Sequence, residues 1–211
     1  MFSSLLLGVV FLFLLNISLG SINIPIKDVF QSLLQGSCSK ESWNYIIINY
    51  RLPKAIVSIL VGIGLSISGL LMQTLFRNPL AGPYVLGLSS GASLGVAVIL
   101  LGASLLPIAL SEFFLSSFGI IAASSLGSLT VLLCVLAIAK QLRDTMAILI
   151  VGLMFGSLTS AIVGSLTYFS SAEQLQKFTF WSLGNLGNLT WKSIGILTSC
   201  IVIGILISIL S

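Results

Sequence analysis

The chain has 211 residues, of which 57% are hydrophobic and only 7% are charged, with nine Lys and Arg residues against five Asp and Glu residues. Soluble domains carry about 25% charged residues, so this composition excludes a soluble fold and indicates a protein surrounded by lipid. The basic residues occur singly rather than in a stripe, which argues against a nucleic-acid-binding surface.

Six stretches are apolar and long enough to cross a hydrocarbon core about 30 Å thick, which takes roughly 20 helical residues. These predicted spans are 1–19, 54–75, 85–102, 117–139, 145–167 and 192–211. Because such long unalternating runs cannot be barrel strands, the sequence predicts an all-α membrane protein. The first stretch lacks a basic start and is longer than the apolar run of a signal peptide, so we interpret it as a retained helix.

Two long polar connections, 20–53 and 168–191, alternate with shorter ones at 76–84, 103–116 and 140–144. A short helix is predicted inside the second long connection, because a serine N-cap there is followed three residues later by an acid or an amide. The two possible pairs are Ser170 with Glu173 and Ser171 with Gln174. Leu175, Phe178 and Trp181 would share one face, which suits a helix at the membrane surface.

Small residues recur every four positions in four consecutive apolar segments. The ladders are Ser58, Gly62 and Ser66; Gly87, Gly91 and Gly95; Gly119, Ala123 and Gly127; and Gly152, Gly156, Ser160 and Gly164. Such ladders let the backbones of membrane helices approach closely, although glycine and serine are also simply common in these helices. The sequence therefore predicts close helix packing, above all at Gly87, Gly91, Gly95, Gly152 and Gly156.

The residue types argue against an enzyme. The chain has no histidine, its three cysteines are dispersed, and no G-x-x-x-x-G-K-[ST] loop for ATP is present. We therefore predict no catalytic residues, no metal site and no cofactor. All five acidic residues lie in connections, whereas a carrier coupled to protons or sodium more often keeps a carboxylate inside the membrane. Transport driven from outside the bundle is thus favoured over a secondary carrier.

Two stretches resemble one known family. Residues 51–95 read RLPKAIVSILVGIGLSISGLLMQTLFRNPLAGPYVLGLSSGASLG, with RLP-[RK], SG-x-[LM]-x-Q, and NPLA-x-P followed by LG-[LIV]-S-[SN]-GA. In order and spacing these motifs resemble the signature of the FecCD-type permeases, the membrane subunits of ABC importers for iron–siderophores, haem and vitamin B12. Residues 170–191, SSAEQLQKFTFWSLGNLGNLTW, resemble the E-Q-x-x-x-x-x-F-W-x-x-G segment of the same family.

The resemblance implies a fold and a set of partners. The chain would be the N-terminal portion of a ten-helix type II ABC importer permease, with its N-terminus in the cytoplasm. Two permeases, identical or homologous, would surround a central pathway in the cytoplasmic (inner) membrane. The other implied partners are an ABC ATPase subunit that hydrolyses ATP, an extracytoplasmic substrate-binding protein and membrane lipid.

Residue roles also follow from the resemblance. The cytoplasmic gate of the pathway would be formed by Asn78, Leu80, Asp144 and Thr145, and the span 145–167 would line the pathway. Arg51 and Lys54 would meet acidic residues of the binding protein. The alternative for these two cations is snorkelling at the membrane interface.

Orientation and length leave two questions open. Counting Lys and Arg places the long connections in the cytoplasm, whereas the resemblance places them outside, where docking cations would be needed. The family continues for four more helices beyond the position of Ser211, so we expect a single transmembrane domain, 1–211, that is apparently truncated. A non-transporting structural or decayed fragment is the alternative to an active permease, and the residues do not name the substrate.

Overall fold

A computed structural model of the chain describes residues 2–102, 115–142, 144–187 and 189–210. Within these ranges the structure is helical and has no β-strand, as the sequence predicts. The α-helices are α1 (Phe2–Ser18), α2 (Ile26–Gln35), α3 (Glu41–Ile46), α4 (Leu52–Phe76), α5 (Leu88–Leu101), α6 (Ser117–Ala139), α7 (Thr145–Tyr168), α8 (Ala172–Ser182) and α9 (Trp191–Leu210). A π-helical turn, Ile47–Arg51, joins α3 to α4, and a 3₁₀ turn, Pro83–Leu86, precedes α5.

Four helices in the described ranges are long and apolar enough to cross a membrane. They are Glu41–Phe76, Ser117–Ala139, Met146–Tyr168 and Trp191–Leu210. These helices correspond to four of the predicted spans, although the first is much longer than predicted. The apolar helices α1 and α5 have only 17 and 14 residues, so the prediction of six spans is not confirmed. Most of the predicted connection 103–116 lies outside the described residues.

The helix Glu41–Phe76 runs through Pro53, near which the sequence predicts only the start of a span. A proline inside a helix lacks a donor, and its ring clashes with the carbonyl group four residues earlier, here that of Asn49. The π-helical turn lies at this point, where the Leu52 N–H bonds to the carbonyl oxygen of Ile47, and this wider turn carries the helix past the proline. The prediction of a polar loop over 20–53 is therefore wrong, since that stretch contains α2, α3 and the π turn.

The helix α5 begins after Gly87, whereas the sequence predicts a span from residue 85. Gly87 has a φ of +77° and ends the 3₁₀ turn, with its N–H bonded to the Tyr84 carbonyl oxygen at 3.0 Å. Residues with a side chain rarely adopt this left-handed conformation. Gly87 therefore turns the chain into α5 and is not part of the helical ladder that Gly91 and Gly95 continue.

The chain folds into two compact units, Met1–Ile67 with Asn185–Ser211, and Ser68–Gly184. In the first unit the end of α1 packs with α2 and the π turn. The buried apolar residues of this cluster are Ile17, Ile24, Val29, Ile47 and Ala55.

Polar bonds hold α2 to the segment that follows it. Asp28 accepts hydrogen bonds from the hydroxyl and, at 3.0 Å, the N–H of Ser39, and these bonds hold the pKa of the Asp28 carboxyl below its usual value. Because the folded-state pKa is lowered, this stabilisation is present above the unfolded-state pKa and is lost as the pH falls through the folded-state pKa. The Ser32 hydroxyl donates to Asn44 Oδ1 at 2.5 Å, and Asn44 Nδ2 donates to the Gly36 carbonyl oxygen at 3.0 Å.

In the second unit α5 packs against α6, α7 and α8. One apolar cluster joins the 76–86 connection to the end of α6 and the start of α7, through Phe76, Ala81, Leu86, Val131, Val135 and Leu149. A second cluster joins α5, α6 and α8, through Val96, Ala97, Leu100, Leu101, Ala123 and Phe178.

The short helix α8 begins with the predicted capping box. The Ser171 hydroxyl accepts from the Gln174 N–H at 3.4 Å, and the Gln174 side chain accepts from the Ser171 N–H at 3.0 Å. Phe178 is buried against α5 and stacks on Trp181, with ring centroids 6.2 Å apart. Leu175 is exposed, so the three apolar residues expected to share a surface face are divided between the core and the outside.

Candidate functional site

The turn between α4 and α5 projects one leucine outwards. Asn78 Oδ1 accepts a hydrogen bond from the Leu80 N–H at 2.9 Å, and the Asn78 carbonyl oxygen accepts from the Ala81 N–H at 3.1 Å. Side-chain bonds of this kind favour tight turns at Asn. Phe76 and Ala81 are buried on either side of the turn, whereas Leu80 is 81% exposed. The sequence Asn-Pro-Leu-Ala therefore builds a hydrogen-bonded turn with an apolar side chain at its tip.

Asp144 is the N-cap of α7. Its Oδ1 atom accepts a hydrogen bond from the Met146 N–H at 3.0 Å, and the residue itself is exposed. A carboxylate at this position satisfies a backbone donor that the helix leaves free and interacts favourably with the helix dipole. Thr145 is the first residue of α7, and its side chain lies outside the described part of the structure.

The two segments predicted to form a gate converge on one apolar cluster. Phe76 and Ala81 flank the turn that carries Asn78 and Leu80, and both are in the same cluster as Leu149, which lies about one turn into α7. The packing thus places both segments at the same end of their unit. It holds them through core residues and leaves the tip of the turn outside the core.

Three of the five predicted packing glycines lie very close to a neighbouring backbone. A Cβ atom added at Gly95 would lie 2.1 Å from the Ala123 carbonyl oxygen, and one added at Gly91 would lie 2.7 Å from that of Gly127. One added at Gly152 would lie 2.5 Å from the Val85 carbonyl oxygen. Any side chain at these three positions would push the backbones apart.

Gly87 and Gly156 are in less crowded surroundings. A Cβ atom at Gly87 would lie 3.1 Å from a Val131 methyl group and 3.2 Å from the Gly152 carbonyl oxygen, while one at Gly156 would lie 3.4 Å from Ser90 Oγ. The ladder of α4 makes no such contact at its centre, because no described atom lies within 4 Å of a Cβ atom added at Gly62. A ladder of small residues therefore permits close packing, but it does not show which helix, if any, packs against it.

The exposed side of α7 combines apolar and small polar residues. It carries Met146, Ile150, Met154, Ser157, Ser160 and Ser165. The three serine hydroxyls bond to carbonyl oxygens of their own helix, those of Leu153, Gly156 and Ala161. No Asp, Glu, Lys or Arg occurs in Thr145–Tyr168. The exposed side of α7 is therefore uncharged.

Arg51 is engaged with the backbone of its own chain. Its guanidinium donates to the carbonyl oxygens of Ile17 and Ser18, each at 2.7 Å, and also to that of Ile22. The last carbonyl groups of a helix lack partners inside the helix, so Arg51 satisfies the end of α1. Gly20 leaves room for this contact, because a Cβ atom there would lie 2.8 Å from Arg51 Nη2. No sequence pattern indicates this role, since the partners lie about 30 residues away along the chain.

Lys54 is exposed beside Arg51, at the edge of an open cleft of about 640 Å³. The rest of the cleft is lined by apolar residues such as Leu15 and Leu19 and by the polar residues Asn16, Ser21 and Tyr50. No carboxylate among the described residues forms an ion pair with Lys54, and the same residues contain no group of three His, Cys, Asp or Glu side chains that could hold a metal ion. Among the described residues, Lys54 is therefore an exposed cation without an ion-pair partner.

Comparison with known proteins points to one family. The profile of the FecCD transport family matches residues 7–211. The Hemin transport system permease protein HmuU of Yersinia pestis is 35% identical over 201 residues, covering 93% of this chain and 58% of the relative. The Vitamin B12 import system permease protein BtuC of Serratia proteamaculans (strain 568) is 35% identical over 190 residues, covering 89% of this chain and 51% of the relative.

A solved structure has the same fold. It is described as an inward-facing conformation of a proposed metal-chelate type ABC transporter, and it matches with a TM-score of 0.72 at 23% identity. The match covers 90% of this chain and 55% of that chain. The chain thus spans about half the length of the relatives it matches.

Proposed function

Because the chain belongs to the FecCD transport family, we propose that it acts as a membrane permease subunit of a binding-protein-dependent ABC importer. The substrate class is an iron chelate, haem or cobalamin, carried across the cytoplasmic membrane. The family match over residues 7–211 carries this proposal, and the HmuU and BtuC relatives, named for hemin and vitamin B12, support the substrate class.

The proposed importer needs partners that supply energy and substrate. The chain has no phosphate-binding loop of its own, so a separate ABC ATPase subunit hydrolyses ATP. An extracytoplasmic binding protein delivers the chelate, and a second permease, identical or homologous, completes the pathway. The uncharged exposed side of α7 supports a pathway in which a large substrate is contacted only loosely.

Deleting the gene in the source organism is expected to abolish growth when one compound of this class is the only available source of iron or of cobalamin. Haem, cobalamin and a ferric siderophore are supplied separately, and the compound whose use is lost identifies the substrate. A plasmid copy of the intact gene is the control and should restore growth. Unchanged growth on all three compounds would contradict the proposal.

The inner gate of the pathway is proposed to lie at Asn78, Leu80, Asp144 and Thr145. The exposed Leu80 at the tip of a hydrogen-bonded turn supports this assignment, because it offers an apolar side chain that no core contact occupies. Asp144 caps α7 in the same unit, so a movement of α7 would move the Asp144–Thr145 pair with it. Alternating access would then widen and narrow this end of the pathway.

Cysteines placed at the two ends of the second unit should react from opposite sides of the membrane. In a chain with Cys38, Cys134 and Cys200 replaced by serine, an impermeant maleimide added to spheroplasts should label Glu173→Cys and leave Asn78→Cys unlabelled. Opening the membrane should make Asn78→Cys reactive, which provides the control. Labelling of both positions from outside would rule out a cytoplasmic gate at Asn78.

Docking of the binding protein is proposed at Arg51 and Lys54. Lys54 is exposed at the edge of the cleft and has no acidic partner among the described residues. It is therefore the cation that an acidic side chain of the binding protein can reach directly. Arg51 already bonds three backbone carbonyl oxygens, so its contribution to docking is to hold the wall of the cleft in place beside Lys54.

A further inference from the structure

The helix α2 exposes a row of large apolar side chains. Ile26, Phe30 and Leu34 are 48%, 45% and 81% exposed, and their spacing of four residues puts them on one side of the helix. Val29 and Ser32, on another side, are buried. The apolar sector of α2 is therefore wider than its packing in the core requires.

The chain holds α2 in this orientation. Val29 packs with Ile17 at the end of α1 and with Ile47 of the π turn. The hydrogen bond from Ser32 to Asn44 and those from Ser39 to Asp28 fix the polar side of the helix. Rotation that would hide the exposed row would break these bonds and expose Val29, so the row is a stable property of the fold.

The chain just before α2 is hydrogen-bonded to the last residue of α1. The Ile24 N–H donates to the Ser18 carbonyl oxygen at 3.1 Å, and the Ser18 hydroxyl donates to the Ile24 carbonyl oxygen at 2.6 Å. Ser18 is the last residue of α1, whose apolar side chains Phe11 and Leu12 are exposed. Ile26 follows Ile24 by two residues, so the exposed row of α2 begins close to where the exposed apolar surface of α1 ends.

The rest of α2 and its surroundings are also typical of a membrane interface. Lys27, Gln31 and Gln35 form a polar row beside the exposed apolar one. The Lys40 ammonium group lies 4.7 Å from the ring centroid of Trp43. Amphipathic helices that lie in the interface combine an apolar side with a polar side carrying Lys, and Trp is enriched at the same level.

We propose that α2 is an interfacial helix that inserts Ile26, Phe30 and Leu34 into the boundary between the lipid headgroups and the acyl chains. Its occupant is the bilayer itself, continuous with the lipid around α1. Helices of this kind bury their apolar side about 5–10 Å into this boundary. The helix thereby fixes the depth of the first unit in the membrane. This role is independent of the transported compound.

Site-directed fluorescence quenching tests this assignment. Phe30→Cys and Leu34→Cys are each made in the protein with Cys38, Cys134 and Cys200 replaced by serine, labelled with an environment-sensitive dye, and reconstituted in vesicles of phosphatidylethanolamine and phosphatidylglycerol. Lipid with a spin label near the top of the acyl chain should quench both dyes severalfold more than aqueous iodide does. Gln35→Cys, exposed on the polar side of the same helix, is the matched control. Its dye should be quenched more by aqueous iodide than by the spin-labelled lipid.

Two results would overturn the proposal. Equal iodide quenching at positions 30, 34 and 35 would place the whole helix in water. Iodide quenching at positions 30 and 34 that disappears only when the binding protein is added would assign the exposed row to a protein partner instead of lipid. Because the readout is depth in the membrane, it is unaffected if the transport proposal fails.

Discussion

Replacing Gly95 with alanine is expected to separate α5 from α6 and to lower the melting temperature of the protein strongly. The added Cβ atom would lie 2.1 Å from the Ala123 carbonyl oxygen and 3.2 Å from the Gly127 Cα atom. Both neighbours are backbone atoms, so a rotamer change cannot relieve the clash. Overpacking of a close contact costs about 1–3 kcal/mol and occasionally more, and membrane helices depend on close packing because lipid gives little hydrophobic force between them.

A graded set of alanine variants separates this effect from a general response to glycine replacement. At Gly127 the added atom would lie 2.2 Å from the Gly91 carbonyl oxygen, at Gly156 its nearest neighbour would be Ser90 Oγ at 3.4 Å, and at Gly164 no described atom would lie within 4 Å. In thermal unfolding experiments in detergent, the melting temperatures of Gly95→Ala and Gly127→Ala should be far lower than those of Gly156→Ala and Gly164→Ala. If Gly95→Ala melts at the same temperature as Gly164→Ala, the α5–α6 crossing is not as close as these distances require.

Replacing Arg51 with lysine is expected to destabilise the first unit although the charge is kept. A planar guanidinium can donate to several carbonyl oxygens at once, whereas a lysine ammonium is a single point on a flexible stem. Hydrogen bonds that involve a charged group contribute about 1.5–3 kcal/mol each and do not add fully. We therefore expect Arg51→Lys to lower the free energy of unfolding by about 1–3 kcal/mol, measured by thermal or denaturant unfolding in detergent.

Lys54→Glu provides the contrast, because this exposed cation has no acidic partner to lose among the residues that the structure describes. It should leave the melting temperature unchanged and weaken association with the binding protein, chiefly through the association rate and most clearly at low salt. Surface plasmon resonance at two salt concentrations measures this. If Arg51→Lys keeps its stability but loses binding, or if Lys54→Glu binds normally, the roles given to the two cations are wrong.

The sequence predicts those features of the fold that depend on neighbouring residues. The spans 117–139 and 145–167 agree closely with Ser117–Ala139 and Met146–Tyr168, because each is a long, mainly apolar run without a charged residue. The capping box at Ser171 is also confirmed, since both its partners lie within three residues. Such features can be predicted because the residues that cause them are close together in the sequence.

Features that depend on residues far apart in the chain are not predicted by the sequence. Pro53 suggests a helix start, and only the packing of Ile47 and Ala55 with α1 and α2 shows that a helix continues through it. The same dependence applies to Arg51, whose partners are the carbonyl groups at the end of α1. Glycine ladders are equally ambiguous, because Gly95 has a neighbouring backbone and Gly62 has none among the described residues. For the candidate site, the motifs predict the residues, and the structure adds which of them form hydrogen bonds within the chain.

The π-helical turn before Pro53 holds one residue more than an α-helical turn, because its hydrogen bond spans five residues instead of four. Deleting one residue from Ile47–Arg51 would therefore leave an α-helical turn, with the direction of α4 and the position of Lys54 nearly unchanged. The ring of Pro53 would then meet the carbonyl group four residues before it. The extra residue thus accommodates the proline, and alignments that insert or remove one residue there still describe similarly oriented surfaces.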